Sequence, residues 1–225
     1  MSVATVFTIL EIIGFVSFAI SGAIVAIDKE LDIVGVLFLA VVTCFGGGMI
    51  RDVMLRQIPL FFTSYELVTL VLATALIVFV LALVFKKKYV ENEGTVNYVN
   101  NYVDAVGLGV FVVLGMKICM SYGVTNPFIL ITMGIMTGCG GGVIRDVTIR
   151  EVPFVFRKRV YVVAALLGAG LYCILTRLEV NDTAAMPLSV AIIVAVRVLA
   201  TIFRLNLPRA IDFEALKSEG EKTEK

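Results

Sequence analysis

Charged and strongly polar residues along the chain gather into short clusters that separate seven long apolar runs, at 3–27, 33–50, 65–85, 98–116, 127–144, 160–176 and 184–203. A helix rises about 1.5 Å per residue and bilayer hydrocarbon is about 30 Å thick, so about 20 apolar residues cross it. Each run is about that size. The pattern therefore predicts an all-α integral membrane protein with seven transmembrane helices. Four charges fall within the runs: Glu11 in the first, Glu66 at the edge of the third, Asp104 in the fourth and Arg197 in the seventh. The second and fifth runs are uncharged, but each contains a triple glycine near its end.

Composition agrees with the pattern. Hydrophobic residues make up 60% of the chain and charged residues 16%, with a mean hydropathy of +1.00, well beyond an ordinary soluble domain. A net charge of +1 supplies no basic field, so a nucleic-acid partner is not expected. The chain has no histidine, which excludes Ser-His-Asp and Cys-His nucleophiles and histidine-ligated zinc, and no enzymatic activity or resident cofactor is expected. Cys44, Cys119, Cys139 and Cys173 each sit in an apolar run without CxxC spacing and read as small hydrophobes.

Basic residues are retained on the cytoplasmic side. Loops on one side hold Arg51, Arg56, Lys117 and Arg177; those on the other hold fourteen Lys and Arg, including Lys86–Lys88, Arg157–Arg159 and those of the C-terminal segment. The expected topology puts the N-terminus outside and the C-terminus in the cytoplasm, in a plasma membrane, with residues 206–225 as a polar tail. The basic clusters could also meet anionic lipid headgroups. Arg197 is expected to snorkel to the cytoplasmic interface.

The chain repeats itself. Gly46 to Phe62 matches Gly140 to Phe156 at ten of seventeen positions, including GGG-x-I-R-D-V, the following arginine (Arg56, Arg150) and a proline (Pro59, Pro153). Upstream, Glu11 aligns with Asp104, Gly14 with Gly107, Phe18 with Phe111 and Gly22 with Gly115. The unit is three helices, about 3–85 and 98–176. An odd number of spans inverts the second copy relative to the first, and the seventh helix, about 184–204, stands outside the symmetry.

From position 33 to 45 a helix covers only about 20 Å, so the glycines lie within the membrane. A full crossing then carries Arg51 and Asp52 into it, and Arg145 and Asp146 likewise. Three glycines each weaken a helix by about 1 kcal/mol, which predicts a kinked or unwound backbone. Free carbonyls near Phe45, Gly46, Cys139 and Gly140 would then face a pore and coordinate a monovalent cation. Close helix packing through Gly134, Gly138 and Gly142 is the competing reading. Arg51 and Asp52 point about 100° apart on a helix, so the expected pairing crosses the repeats, Arg51 to Asp146 and Arg145 to Asp52, either beside a pore or as a helix clamp. Glu11 and Asp104 either attract cations or pair with a basic residue such as Lys117. Thr43 and Thr137 either line the pore or bond their own backbone.

Seven spans, two copies of GGG-x-x-R-D-V and the trailing R-x-x-P together resemble the prokaryotic branch of the trimeric intracellular cation channel (TRIC) family, over roughly residues 5–205. The resemblance implies a homotrimer with a pore in each protomer, kinked second and fifth helices, and passage of potassium, with sodium as a second permeant ion. It gives Gly46–Gly48 and Gly140–Gly142 the ion-lining role and Arg51, Asp52, Arg145 and Asp146 a paired-charge role beside the pore. Lys117 falls where animal members carry basic residues linked to gating and lipid. The alternative is a secondary transporter for a small solute such as glycine, since inverted repeats with broken helices also suit alternating access.

Overall fold

A computed structural model describes residues 2–157, 160–203 and 205. Lys158, Arg159, Arg204 and the tail at 206–225 lie outside the described residues. The described residues form ten helices in order: α1 (Val3–Asp28), α2 (Ile33–Met54), α3 (Leu60–Thr63), α4 (Tyr65–Val84), α5 (Lys86–Glu91), α6 (Glu93–Ser121), α7 (Pro127–Thr148), α8 (Phe154–Arg157), α9 (Tyr161–Arg177) and α10 (Asp182–Ile202). All seven apolar runs are helical. Six of these helices are long and apolar enough to cross a membrane, whereas α9 has 17 residues and reaches about 25 Å.

The starts are written in the sequence. Ser2, Asp32, Asn126 and Asn181 each accept a hydrogen bond from a backbone N–H in the first turn, satisfying a donor that has no partner within the helix. The ends of α2 and α7 are copies of one another. Arg56 and Arg150 take a left-handed conformation, φ 57° and 58°, and the next amide bonds back to the Asp52 or Asp146 carbonyl, closing the helix as glycine usually does. The apolar pattern understates α6, which begins at Glu93, a turn and more before the run at 98.

α1, α2 and α4 enclose one core, around Phe15, Phe18, Leu39 and Val71. α6, α7, α9 and α10 enclose the other, around Leu108, Met116, Tyr172 and Ile193. The halves interlock: Phe111 of α6 belongs to the first core and Leu10 of α1 to the second. α1 packs on α6 and α2 on α7, while α10 leans on α6 and α9. Equivalent glycines make equivalent contacts. Gly14 lies under Phe111 and Gly107 under Phe18; Gly22 meets Thr43 and Gly115 meets Thr137.

Candidate permeation site

The two triple glycines meet where α2 crosses α7. A methyl group on Gly47 would overlap the Thr137 carbonyl, and one on Gly141 would overlap the Thr43 carbonyl. Gly46 lies against Gly141, and Gly140 against Gly47. Both helices remain α-helical through the glycines, which corrects the expectation of unwound backbone. Phe45, Gly46, Cys139 and Gly140 keep their carbonyls within the helical ladder. The backbone contact that glycine permits offsets its poor helix propensity. Gly134 and Gly138 serve packing too, against the Val112 and Leu108 carbonyls of α6.

The third glycine differs. A methyl at Gly48 would come no nearer than 3.6 Å to anything, and there it would meet the Arg51 guanidinium; at Gly142 the nearest neighbour is Arg145, at 3.7 Å. These two positions leave room beside an arginine. Thr43 and Thr137 donate to the Leu39 and Met133 carbonyls, at 2.6 and 2.7 Å, so both hydroxyls are spent on their own helices.

Arg51, Asp52, Asp104, Arg145, Asp146 and Arg197 are all at most 5% exposed, so each charge needs a partner. Neither arginine pairs with the motif aspartate of the other repeat, which corrects the expected pairing of Arg51 with Asp146 and Arg145 with Asp52. Arg51 donates from Nε and Nη2 to Oδ1 of Asp52, at 2.9 and 2.6 Å, and Arg145 donates from Nε to Asp146 at 2.8 Å. The long guanidinium arm bridges the 100° between neighbouring Cβ directions. Each aspartate then uses Oδ2 to accept the first amide of the next short helix, from Leu60 at 3.0 Å and from Phe154 at 2.6 Å. That second bond fixes the hairpin after each motif, so R-D-V and the proline seven residues beyond Asp form one device.

Around this shared plan the ends diverge. Arg145 also donates to Ser21 of α1 at 3.0 Å and lies 3.7 Å from Asp104 of α6. Asp104 accepts a further bond, at 3.3 Å, from Arg197 of α10. Arg197 is 2% exposed and its guanidinium stacks 4.3 Å from the Tyr161 ring centroid. It does not snorkel; the buried carboxylate holds it more strongly than the interface would. Neither partner was legible, because Arg197 lies outside the repeat and Tyr161 reads as ordinary core. Lys117 meets Asp182 at 2.5 Å, and Asp182 also accepts from Tyr172 at 2.9 Å, tying α6, α9 and α10 together. Lys117 thus does not pair with Glu11 or Asp104.

Two cavities flank the crossing. Arg51, Asp52, Gly48 and Glu11 border one of ≈ 20 Å³, walled by Phe15, Phe45, Phe61 and Leu114, which has room for about one water molecule. Arg145, Asp146, Asp104 and Ser21 border the other, an open cleft of ≈ 380 Å³ that Asn97, Asn100 and Asn101 make polar. The repeat symmetry puts one cavity at each end of the molecule, with the glycine crossing between them.

Comparison with known proteins bears on this architecture. The sequence model of a family described as glycine transporter matches residues 8–83 and again 101–177, the two three-helix units. The inner membrane protein YadS of Escherichia coli (strain K12) is 35% identical over 204 residues, covering 88% of this chain and 93% of that protein. The TRIC orthologue from Rhodobacter sphaeroides is 32% identical with TM-score 0.79, covering 89% of this chain and all of that one. A prokaryotic TRIC channel solved in 0.5 M KCl gives TM-score 0.80 at 32% identity, over 91% of this chain and 100% of that chain. The chain belongs to the TRIC family. It is a multi-pass membrane protein, and TRIC membership accounts for the double match, since the two matched blocks coincide with the inverted units that carry Arg51–Asp52 and Arg145–Asp146.

Proposed function

We propose that this protein is a monovalent cation channel that chiefly passes potassium, with sodium as a second permeant ion. The path runs inside one protomer, from the Arg51 cavity past the α2–α7 crossing to the Arg145 cleft. The observation that carries the reading is the pair of charged cavities at the two ends of a glycine-to-backbone crossing. Glycines at a crossing leave the least material to move, and bending of α2 and α7 there would join the cavities. At ≈ 20 Å³ the first cavity admits no hydrated ion, so this conformation is closed. All four motif charges are paired, so neither arginine presents a bare positive charge to a cation.

The protein assembles as a homotrimer, as the TRIC name says of its relatives, with anionic lipid against Lys86–Lys88. It sits in the cell membrane with its N-terminus outside. Arg51 and Arg145 are buried and drop out of the loop count, which still leaves three basic residues against thirteen.

The test is single-channel recording of purified protein in planar bilayers under a KCl gradient, beside the Gly48→Leu/Gly142→Leu variant. A Cβ at either position meets nothing nearer than 3.6 Å, so the backbone contact at the crossing is kept while the added side chains narrow the path, and elution at the wild-type volume checks that the variant folds. Unitary steps reversing near the potassium equilibrium potential, reduced or lost in the variant, are expected. Silent bilayers together with saturable glycine uptake into proteoliposomes would overturn the channel reading and favour the transporter.

A further inference from the structure

Because the repeats invert, the two ends of the proposed path should be copies, and each departure from symmetry points to something one end has and the other lacks. At the Arg145 end two carboxylates, Asp104 and Asp146, meet two guanidiniums, Arg145 and Arg197. The second guanidinium comes from α10, which has no counterpart in the first unit. At the Arg51 end Glu11 stands in the place of Asp104, yet Arg51 gives its two hydrogen bonds to Asp52. Among the described residues the Glu11 side chain makes no hydrogen bond and no ion pair within 4.0 Å, and Arg51, already bonded to Asp52, acts on it only at longer range. Leu114 occupies the position equivalent to Ser21, so the polar contact that Arg145 enjoys is also missing there.

One carboxylate is therefore left over. It is partly buried and borders the narrow cavity, whose other walls are largely aromatic and aliphatic. Walls of low dielectric focus the field of a fixed charge into the aqueous space they enclose. We infer that Glu11 is the selectivity-determining residue of the path: its carboxylate, left without a counter-charge of its own, concentrates monovalent cations at the Arg51 end once the path opens and repels anions. The inference rests on the channel reading above. It assigns different work to two aligned carboxylates: Asp104 holds helices together, and Glu11 acts on the ion.

The experiment compares wild type with Glu11→Gln and Glu11→Asp in planar bilayers, measuring the reversal potential in a KCl gradient and the conductance across salt concentrations. In Glu11→Gln the ratio of potassium to chloride permeability is expected to fall by roughly tenfold or more, the lower end of the range by which focused fields raise local ion concentration. Its conductance should fall most in about 0.1 M salt or below, where the Debye length reaches about 10 Å. Glu11→Asp keeps the charge and should retain selectivity. Conducting Glu11→Gln channels with unchanged reversal potential and low-salt conductance would overturn the inference while leaving the channel intact. Equal loss in both variants would overturn it too, since shape rather than charge would then matter. A silent wild type would instead overturn the channel reading, and this inference with it.

Discussion

At the level of single residues, the repeated GGG is three positions with two different jobs. Gly47 faces a backbone carbonyl of the partner helix, whereas Gly48 faces open space beside an arginine. Gly47→Ala should destabilise the protein by about 1–3 kcal/mol through overpacking, and Gly48→Ala should stabilise it by up to about 1 kcal/mol through helix propensity. Thermal unfolding in detergent separates the two. The sequence marks Arg51, Asp52, Arg145 and Asp146 as buried charges but not how they pair, because neighbouring Cβ directions diverge on a helix while an arginine is long enough to curl back to the next residue. Arg197 carries a prediction of its own. Arg197→Met leaves Asp104 with one distant cation and should cost about 3–5 kcal/mol, the usual penalty for breaking a buried pair. Adding Asp104→Asn should restore much of that loss, as measured by the same melts.

At the level of helices, the ends of α2 and α7 were only half legible. The R-x-x-P spacing marked them as equivalent, but nothing in it announced that Arg56 and Arg150 take left-handed conformations, a role glycine fills more readily. Arg56→Gly and Arg150→Gly should each stabilise the protein by about 0.5–1 kcal/mol by relieving the Cβ clash; unchanged or lowered melting temperatures would show that the arginine side chains hold the turn. The helices were found because continuous hydrophobicity is a strong signal at this length. Where they begin was harder to read: the Asn-rich first turns of α6 continue a helix beyond the apolar run, and hydropathy registers only the part that meets lipid. α5 is likewise invisible to hydropathy. Its Tyr89 donates to Asp28 at 2.9 Å, and burial with that carboxylate raises the tyrosine well above its usual range, so it stays a donor at any physiological pH.

For the molecule as a whole, inversion of the repeat was readable from an odd number of spans between two copies of one motif. What could not be read was how far the copies differ, since the difference comes from α10, a helix without a twin. Orientation is open to direct test. With the N-terminus outside, a cysteine placed at Lys87 should react with a membrane-impermeant maleimide only after the cells are opened, and one placed at Tyr122, 54% exposed, should react on intact cells. The reverse pattern would invert the topology and move Glu11 to the cytoplasmic end.

The pairing of each motif arginine with the very next residue matters before the fold exists. A lone arginine or aspartate at the centre of a helix entering the bilayer costs about 2.5–3.5 kcal/mol on insertion scales. Arg51–Asp52 and Arg145–Asp146 need no second helix to neutralise each other, so α2 and α7 can each leave the translocon carrying a ready-made neutral pair. Asp104 has no such local partner. It must wait for Arg145 from the next helix and then for Arg197 from the last one made, so the first unit can finish its electrostatics during synthesis while the second completes its own only when α10 arrives.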